Sequence, residues 1–217
     1  MAQELYSASP AAKRVLDEAE ATLPGLLALM WEGPAEELQL TANQQPALVA
    51  AGAAAYAAYR EAGGAEVRFA AGHSLGEYTA LVAAGCLSVS AAVRLVRKRG
   101  AYMQAAVAPG AGAMAAVLKL EESTIREVLA DLGPHEVVAV ANLNAPGQTV
   151  VSGSAAGVER AAAVLKERGA RVIPLKVSAP FHSPLMQPAA ERLAADLATE
   201  VFDEPAFVVV CNVTAEP

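Results

Sequence analysis

Cysteine is scarce in this chain. Cys86 and Cys211 are the only two in 217 residues, with no Cys-x-x-Cys pair and no histidine at metal-ligand spacing. A disulfide framework and a structural zinc site are excluded on that ground, and a reduced, cytoplasmic setting is expected. Positive charge is also short: Lys+Arg number 16 against Asp+Glu 23, a net charge of −7. Nucleic-acid binding needs clustered basic charge, so that class is excluded, whereas a small anion held at one local basic site is not. Long apolar runs are missing too. The longest uncharged one, Pro46 to Tyr59, is Ala-rich and shorter than the roughly 18–20 residues of a membrane span. The opening MAQELYSASP carries Glu4 and lacks the apolar centre of a signal peptide. With 54% hydrophobic and 18% charged residues, intrinsic disorder is excluded as well. What remains is a soluble globular protein with neither nucleic acid nor membrane as partner.

The chain reads in three parts. The first is helical. Ser9-Pro10 has the form of an N-cap followed by proline at the first helical position. Thr41-Ala-Asn-Gln44 has the spacing of a capping box before the Ala-rich run, which ends at Gly63-Gly64. Residues 66–71 alternate as a strand and lead into Gly72-His73-Ser74-Leu75-Gly76, after which a helical pattern runs to Gly85. Residues 88–108 predict an amphipathic helix with Val93, Val96, Gly100, Met103 and Val107 on one stripe. The second part predicts strand 113–119, helix 121–131, strands 136–142 and 148–152, helix 154–168 and strand 171–177. That order, βαββαβ, is the ferredoxin-like split unit, read as an inserted subdomain. The third part holds Pro180-Phe181-His182-Ser183-Pro184, with Ser183 as N-cap of a helix to about residue 198, and a buried strand at Val208-Val209-Val210.

Gly72-His73-Ser74-Leu75-Gly76 fits G-x-S-x-G. A sharp strand-to-helix turn needs glycine where a side chain would clash, and it lifts the serine hydroxyl clear of the sheet. The Leu75 N–H then points at a developing oxyanion, aided by the positive end of the helix. Ser74 is therefore the candidate nucleophile. Of three histidines, His73 adjoins Ser74, where neighbouring side chains diverge, and His135 follows Gly133-Pro134 in a predicted loop. His182, just ahead of a helix N-terminus where the dipole favours neutral imidazole, is the candidate base. No Asp or Glu stands out as a third triad member; Glu77 lies inside the elbow helix. On the 88–108 helix, at 100° per residue, Arg99 falls at the edge of the buried face. An inward arginine needs an anion, either an internal carboxylate or that of a substrate. Arg94, Arg97 and Lys98 read as a solvated face, available to an acidic partner.

Together, Gly72-His73-Ser74-Leu75-Gly76-Glu77-Tyr78, Arg97-Lys98-Arg99-Gly100, residues 112–117 (GAMAAV), residues 142–148 (NLNAPGQ) and Pro180-Phe181-His182-Ser183 resemble, in order and spacing, malonyl-CoA:acyl carrier protein transacylases. The same family includes the acyltransferase domains of fatty-acid and polyketide synthases. The resemblance implies an α/β fold: an α/β-hydrolase-like large subdomain with a parallel sheet (1–110 and 178–217) and an inserted ferredoxin-like small subdomain (111–177). It implies malonyl transfer from malonyl-CoA to the phosphopantetheine thiol of acyl carrier protein, by way of a malonyl-serine, for fatty-acid synthesis. Ser74 and His182 would be catalytic, Leu75 N–H an oxyanion donor, and Arg99 the ligand of the malonate carboxylate. Phe181 would exclude the methyl branch of methylmalonyl. No metal or redox cofactor is called for, the CoA thioester being the substrate, and a monomer is expected. By the same resemblance, a preceding strand with a Gln-bearing oxyanion loop and a following segment that orients the histidine lie outside the sequence, which reads as truncated at both ends. A serine esterase or thioesterase, and an inactive fragment, are the alternative readings.

Overall fold

The computed structural model describes residues 1–133, 135–177 and 179–217. Two residues on which the sequence reading touches, Pro134 ahead of His135 and Ser178 at an expected subdomain boundary, lie outside the described residues. The first part is helical, as expected: α1 (Gln3–Ala8), α2 (Pro10–Thr22), α3 (Leu26–Glu32), α4 (Ala35–Gln39) and α5 (Thr41–Glu61). Ser9 caps α2, its hydroxyl accepting from the Ala12 N–H at 3.0 Å, with Pro10 at the first position. Then follow β1 (Phe69–Ala71), α6 (Gly76–Ala83) and α7 (Val89–Ala105).

The capping box expected at Thr41 does not form. Helix α5 starts at Thr41 itself, and the Leu40 carbonyl accepts from Asn43 and Gln44 N–H at 2.8 Å. Tertiary packing decides this. Thr41 is buried where α7 crosses, and a Cβ on Gly100 would stand 2.5 Å from the Thr41 oxygen. Glycine there lets the two backbones touch. Pro46, inside α5, has no N–H to give the Ala42 carbonyl. Arg97 supplies the missing donor: its Nη1 lies 2.9 Å from Ala42 O and also bonds Asn43 Oδ1.

The chain divides into two compact units, Met1–Ala101 with Leu193–Pro217, and Tyr102–Arg192. The sequence places the expected boundaries at 110/111 and 177/178. The difference arises because Met103, at the end of α7, joins Ala179, Met186 and Ala189 in one buried cluster. In the first unit, Leu16, Leu26, Leu27, Met30, Ala47 and Val93 lead one core cluster. Val49, Leu87, Leu95 and Val96 lead a second. Helix α7 is thus buried over more than the expected stripe, and Val107 lies beyond its end. Strand β1 pairs in parallel with β6 (Val208–Val210), Ala70 opposite Val209. With two strands in this sheet among the described residues, the Val208–Val210 run is half-buried rather than buried as expected.

The second unit runs β2 (Gly112–Leu118), α8 (Glu122–Asp131), β3 (Val138–Ala145), β4 (Gln148–Ser154), α9 (Ala155–Glu167) and β5 (Arg171–Pro174). The sheet is antiparallel with order β3-β4-β2-β5. Val117, Val151, Ile125 and Leu165 form its buried centre, where alternate strand residues meet one stripe of each helix. Strand β5 stops short of the expected 177, at Pro174, which has no N–H for the ladder. After it, a 3₁₀ turn (Pro184–Met186) leads into α10 (Gln187–Leu197). Ser183 does not cap this helix; its hydroxyl donates to Pro180 O at 2.7 Å. No described helix is long and apolar enough to cross a membrane.

Candidate active site

The chain turns from β1 into α6 at residues 72–76. A Cβ on Gly72 would lie 2.5 Å from Glu77 N and closer still to the Gly76 carbonyl, so the turn closes only on glycine. Gly76 is different: a Cβ there would meet nothing within 4 Å. Of the two motif glycines, then, only Gly72 relieves a clash within the turn. Ser74 sits at φ 51, in the left-handed region that a side chain disfavours. Gly76 N–H donates to His73 O at 2.9 Å and Tyr78 N–H to Leu75 O at 3.1 Å, which starts α6 directly behind the serine.

One tie fixes the turn from outside. The Ser74 N–H donates to Asn212 Oδ1 at 2.7 Å, and the Asn212 amide nitrogen donates to Gly72 O. The same nitrogen and the Asn212 backbone N–H each donate to Glu77 Oε2 at 3.0 Å. The Ser74 amide is thereby used within the fold, and Leu75 N–H is left as the amide of this turn to consider for an oxyanion. Asn212 is not among the candidates the sequence offers, and Glu77 is legible there only as a residue inside the elbow helix. A polar residue just past a strand that pairs with β1 was the signal available.

Arg99 comes to the serine from α7. Its Nη2 lies 2.9 Å from Ser74 Oγ and its Nη1 2.7 Å from Gln45 Oε1. Gln45, a buried residue of α5, was not singled out from sequence. The close crossing at Gly100 is what brings α5 and α7 near enough for this pair. The guanidinium also lies 5.9 Å from the Tyr78 ring centre, within cation–π range. Burial lowers the Arg99 pKa from its ordinary value, against smaller opposing effects of Tyr78 and Glu77. Burial likewise pushes the Tyr78 phenol up, while Arg99 pulls it down. Among the described residues no carboxylate forms an ion pair with Arg99; the oxygens it bonds are neutral. An internal salt bridge, one of the two sequence alternatives, is therefore not what holds it.

Arg94 and Lys98 are exposed, as expected of a solvated face, and Arg97 departs from it, being half-buried. Arg94 pairs with Glu200 at 3.2 Å and Lys98 with Asp196 at 2.6 Å, while Arg97 serves the Ala42 carbonyl. A helix-face argument misses acidic residues brought alongside from the far end of the chain.

The second unit carries the other two candidates. His182 is exposed, at φ 57, in a turn tied by Phe181 N–H to Ala179 O at 3.0 Å and by Ser183 Oγ to Pro180 O. A Cβ on Gly112 would run into the Pro180 ring, so the turn rests on the start of β2. Phe181 packs against the Met103–Ala179–Met186–Ala189 cluster. His73 and His135 are both exposed.

Comparison with known proteins gives a single direction. Residues 1–215 match the family model described as acyl transferase domain. The malonyl CoA-acyl carrier protein transacylase of Bacillus subtilis is 50% identical over 219 residues, covering 100% of this chain and 69% of the relative. That of Escherichia coli K12 is 45% identical, covering 98% and 70%. Among solved structures, an acyl-carrier-protein S-malonyltransferase from Burkholderia pseudomallei has a TM-score of 0.92 at 45% identity, covering 98% and 70%. A malonyl-transacylase in complex with its type II polyketide acyl-carrier protein has a TM-score of 0.95 at 42% identity, covering 100% and 71%.

Proposed function

The chain belongs to the acyl transferase domain family, and we infer that it moves the malonyl group of malonyl-CoA to the phosphopantetheine thiol of acyl carrier protein, in the cytoplasm. The observation that carries this reading is the contact between Arg99 and Ser74, 2.9 Å from guanidinium to hydroxyl. A malonyl ester on Ser74 places its free carboxylate carbon three bonds from Oγ. A desolvated guanidinium beside Oγ, bonded to neutral oxygens, is positioned to take that carboxylate in a two-pronged grip.

The reaction runs as ping-pong acyl transfer. His182 accepts the Ser74 proton as Oγ attacks the thioester carbonyl. The Leu75 N–H and the α6 N-terminus stabilise the oxyanion. Collapse breaks the C–S bond, and His182 returns the proton to the CoA sulfur. The malonyl-serine is held with its carboxylate on Arg99, which exchanges Ser74 Oγ for the stronger acceptor. The carrier-protein thiol then attacks, with His182 again as base, and Ser74 is regenerated. The balance closes without a metal or redox cofactor. We assign Phe181, anchored in its apolar cluster, to disfavouring a methyl branch, as the family resemblance implies.

The βαββαβ order and the β3-β4-β2-β5 sheet support assigning the second unit as a ferredoxin-like subdomain. The β1 elbow and the parallel β1–β6 pair support an α/β-hydrolase-like first unit, and we take the protein as a monomer. The test is to incubate the protein with malonyl-CoA and holo acyl carrier protein and to measure malonyl-carrier and free malonate together. Transfer should dominate. Release of malonate in excess of transfer would replace this reading with a thioesterase.

A further inference from the structure

We propose that Asn212 and Glu77 form a positioning clamp that holds the nucleophile turn in its reactive shape; the proposal rests on the acyl-transfer reading of Ser74. Ser74 occupies a left-handed conformation, so its backbone has to be held against relaxation. The holding group is one side-chain amide. Asn212 Oδ1 accepts from Ser74 N–H, and Nδ2 donates to Gly72 O, so that a single planar group ties together the two ends of the tightest part of the turn. The amide itself is oriented by Glu77, whose Oε2 accepts from Asn212 N and Nδ2, both at 3.0 Å. Every donor in this set faces an acceptor, which fixes which end of the amide is oxygen.

The arrangement has a mechanistic consequence. With its N–H bonded to Asn212, Ser74 presents Oγ rather than its amide to the substrate, and the next amide, Leu75, is directed by the same turn. The hydrogen bonds of the clamp run to neither Arg99 nor Gln45, and Glu77 acts on Arg99 only through its charge. Loss of the clamp should therefore slow acylation without weakening capture of the malonyl carboxylate.

Chemistry dictates how variants should rank. Asn212→Ala removes the clamp. Asn212→Asp keeps an acceptor for Ser74 N–H but turns a carboxylate oxygen toward Gly72 O and Glu77, which is repulsive, so Asp should not rescue. Glu77→Gln retains an oxygen that can accept both Asn212 donors, whereas Glu77→Ala does not. The experiment is single-turnover malonylation of the full chain over a range of malonyl-CoA concentrations, read by intact mass, with thermal melts alongside. The expected result for Asn212→Ala and Asn212→Asp is a saturating acylation rate down about 10- to 100-fold, the size of holding one strained residue. The half-saturating concentration should stay within about twofold of the parent protein. Glu77→Gln should stay close to the parent, and Glu77→Ala should fall between. Asn212→Ala acylating at the parent rate, or a change confined to half-saturation, would overturn the clamp. If Asn212→Ala does not fold, the Glu77 pair decides: equal rates for Glu77→Ala and Glu77→Gln would overturn it. Failure of the parent protein itself to acquire a malonyl group would count against the acyl-transfer reading instead.

Discussion

Replacing Arg99 by alanine should change which acyl group the protein prefers, not merely how fast it works. In the resting site the guanidinium bonds Ser74 Oγ and Gln45 Oε1 and has no ion-paired carboxylate among the described residues. Malonyl-CoA brings a carboxylate to this group; acetyl-CoA brings none. Both substrates lose the Arg99–Ser74 and Arg99–Gln45 contacts in Arg99→Ala. Those costs cancel in the ratio of the two rates, which isolates the carboxylate contact. A hydrogen bond to a charged group is worth about 1.5–3 kcal/mol, which corresponds to about 10- to 150-fold in rate. The upper part of that range is expected because burial has already partly desolvated the guanidinium. The assay is parallel acylation with malonyl-CoA and acetyl-CoA, each reported as kcat/KM from single-turnover progress curves. Arg99→Ala should shift the malonyl-to-acetyl ratio toward acetyl by at least tenfold. Arg99→Lys should shift it less, since ammonium keeps the charge but cannot grip both Gln45 and a carboxylate in a planar fork. An unchanged ratio in Arg99→Ala would refute the assignment of Arg99 as carboxylate ligand.

Two further outcomes follow from the packing and the electrostatics around that arginine. Gly100→Val drives a side chain into Thr41 O and the Ala42 backbone; it should lower stability by at least about 1–3 kcal/mol in a denaturant melt and weaken selection of malonyl over acetyl by separating α5 from α7. Tyr78, whose pKa is raised above its ordinary 10.0 chiefly by burial, favours the folded state with its full effect below pH 10. That contribution is lost as pH rises through the raised folded value. Alkaline titration of phenolate absorbance, with Tyr78→Phe as the blank, should therefore place Tyr78 above 10, and in Arg99→Ala it should move higher still, because Arg99 pulls it down.

Much of this was legible in the sequence, and what was not has physical reasons. Periodicity and Gly/Pro punctuation placed the β-α-β-β-α-β run of the second unit within a few residues of its observed ends, because each element there meets one apolar face. The elbow was legible because a tight turn demands glycine at a fixed offset, and Gly72 meets that demand. Arg99 was legible because helix geometry alone sets which way it points. Several of the failures are tertiary. Thr41 does not cap α5, because the crossing of α7 at Gly100 buries it. Arg97 is half-buried rather than solvated, because Pro46 leaves the Ala42 carbonyl without a backbone donor and Arg97 serves it. Asn212 was out of reach because it bonds Ser74 across 138 positions of chain, and no local pattern encodes that meeting. Gln45 was missed because a glutamine in an Ala-rich helix carries no periodic signal; only its burial against Arg99 marks it.

The most direct test of the account is the intact mass of the purified protein after brief exposure to malonyl-CoA, with Ser74→Ala in parallel. The account predicts one malonyl adduct on the parent protein and none on Ser74→Ala. An adduct that persists in Ser74→Ala, or a parent protein that gains no mass, would contradict the central claim that Ser74 carries the malonyl group.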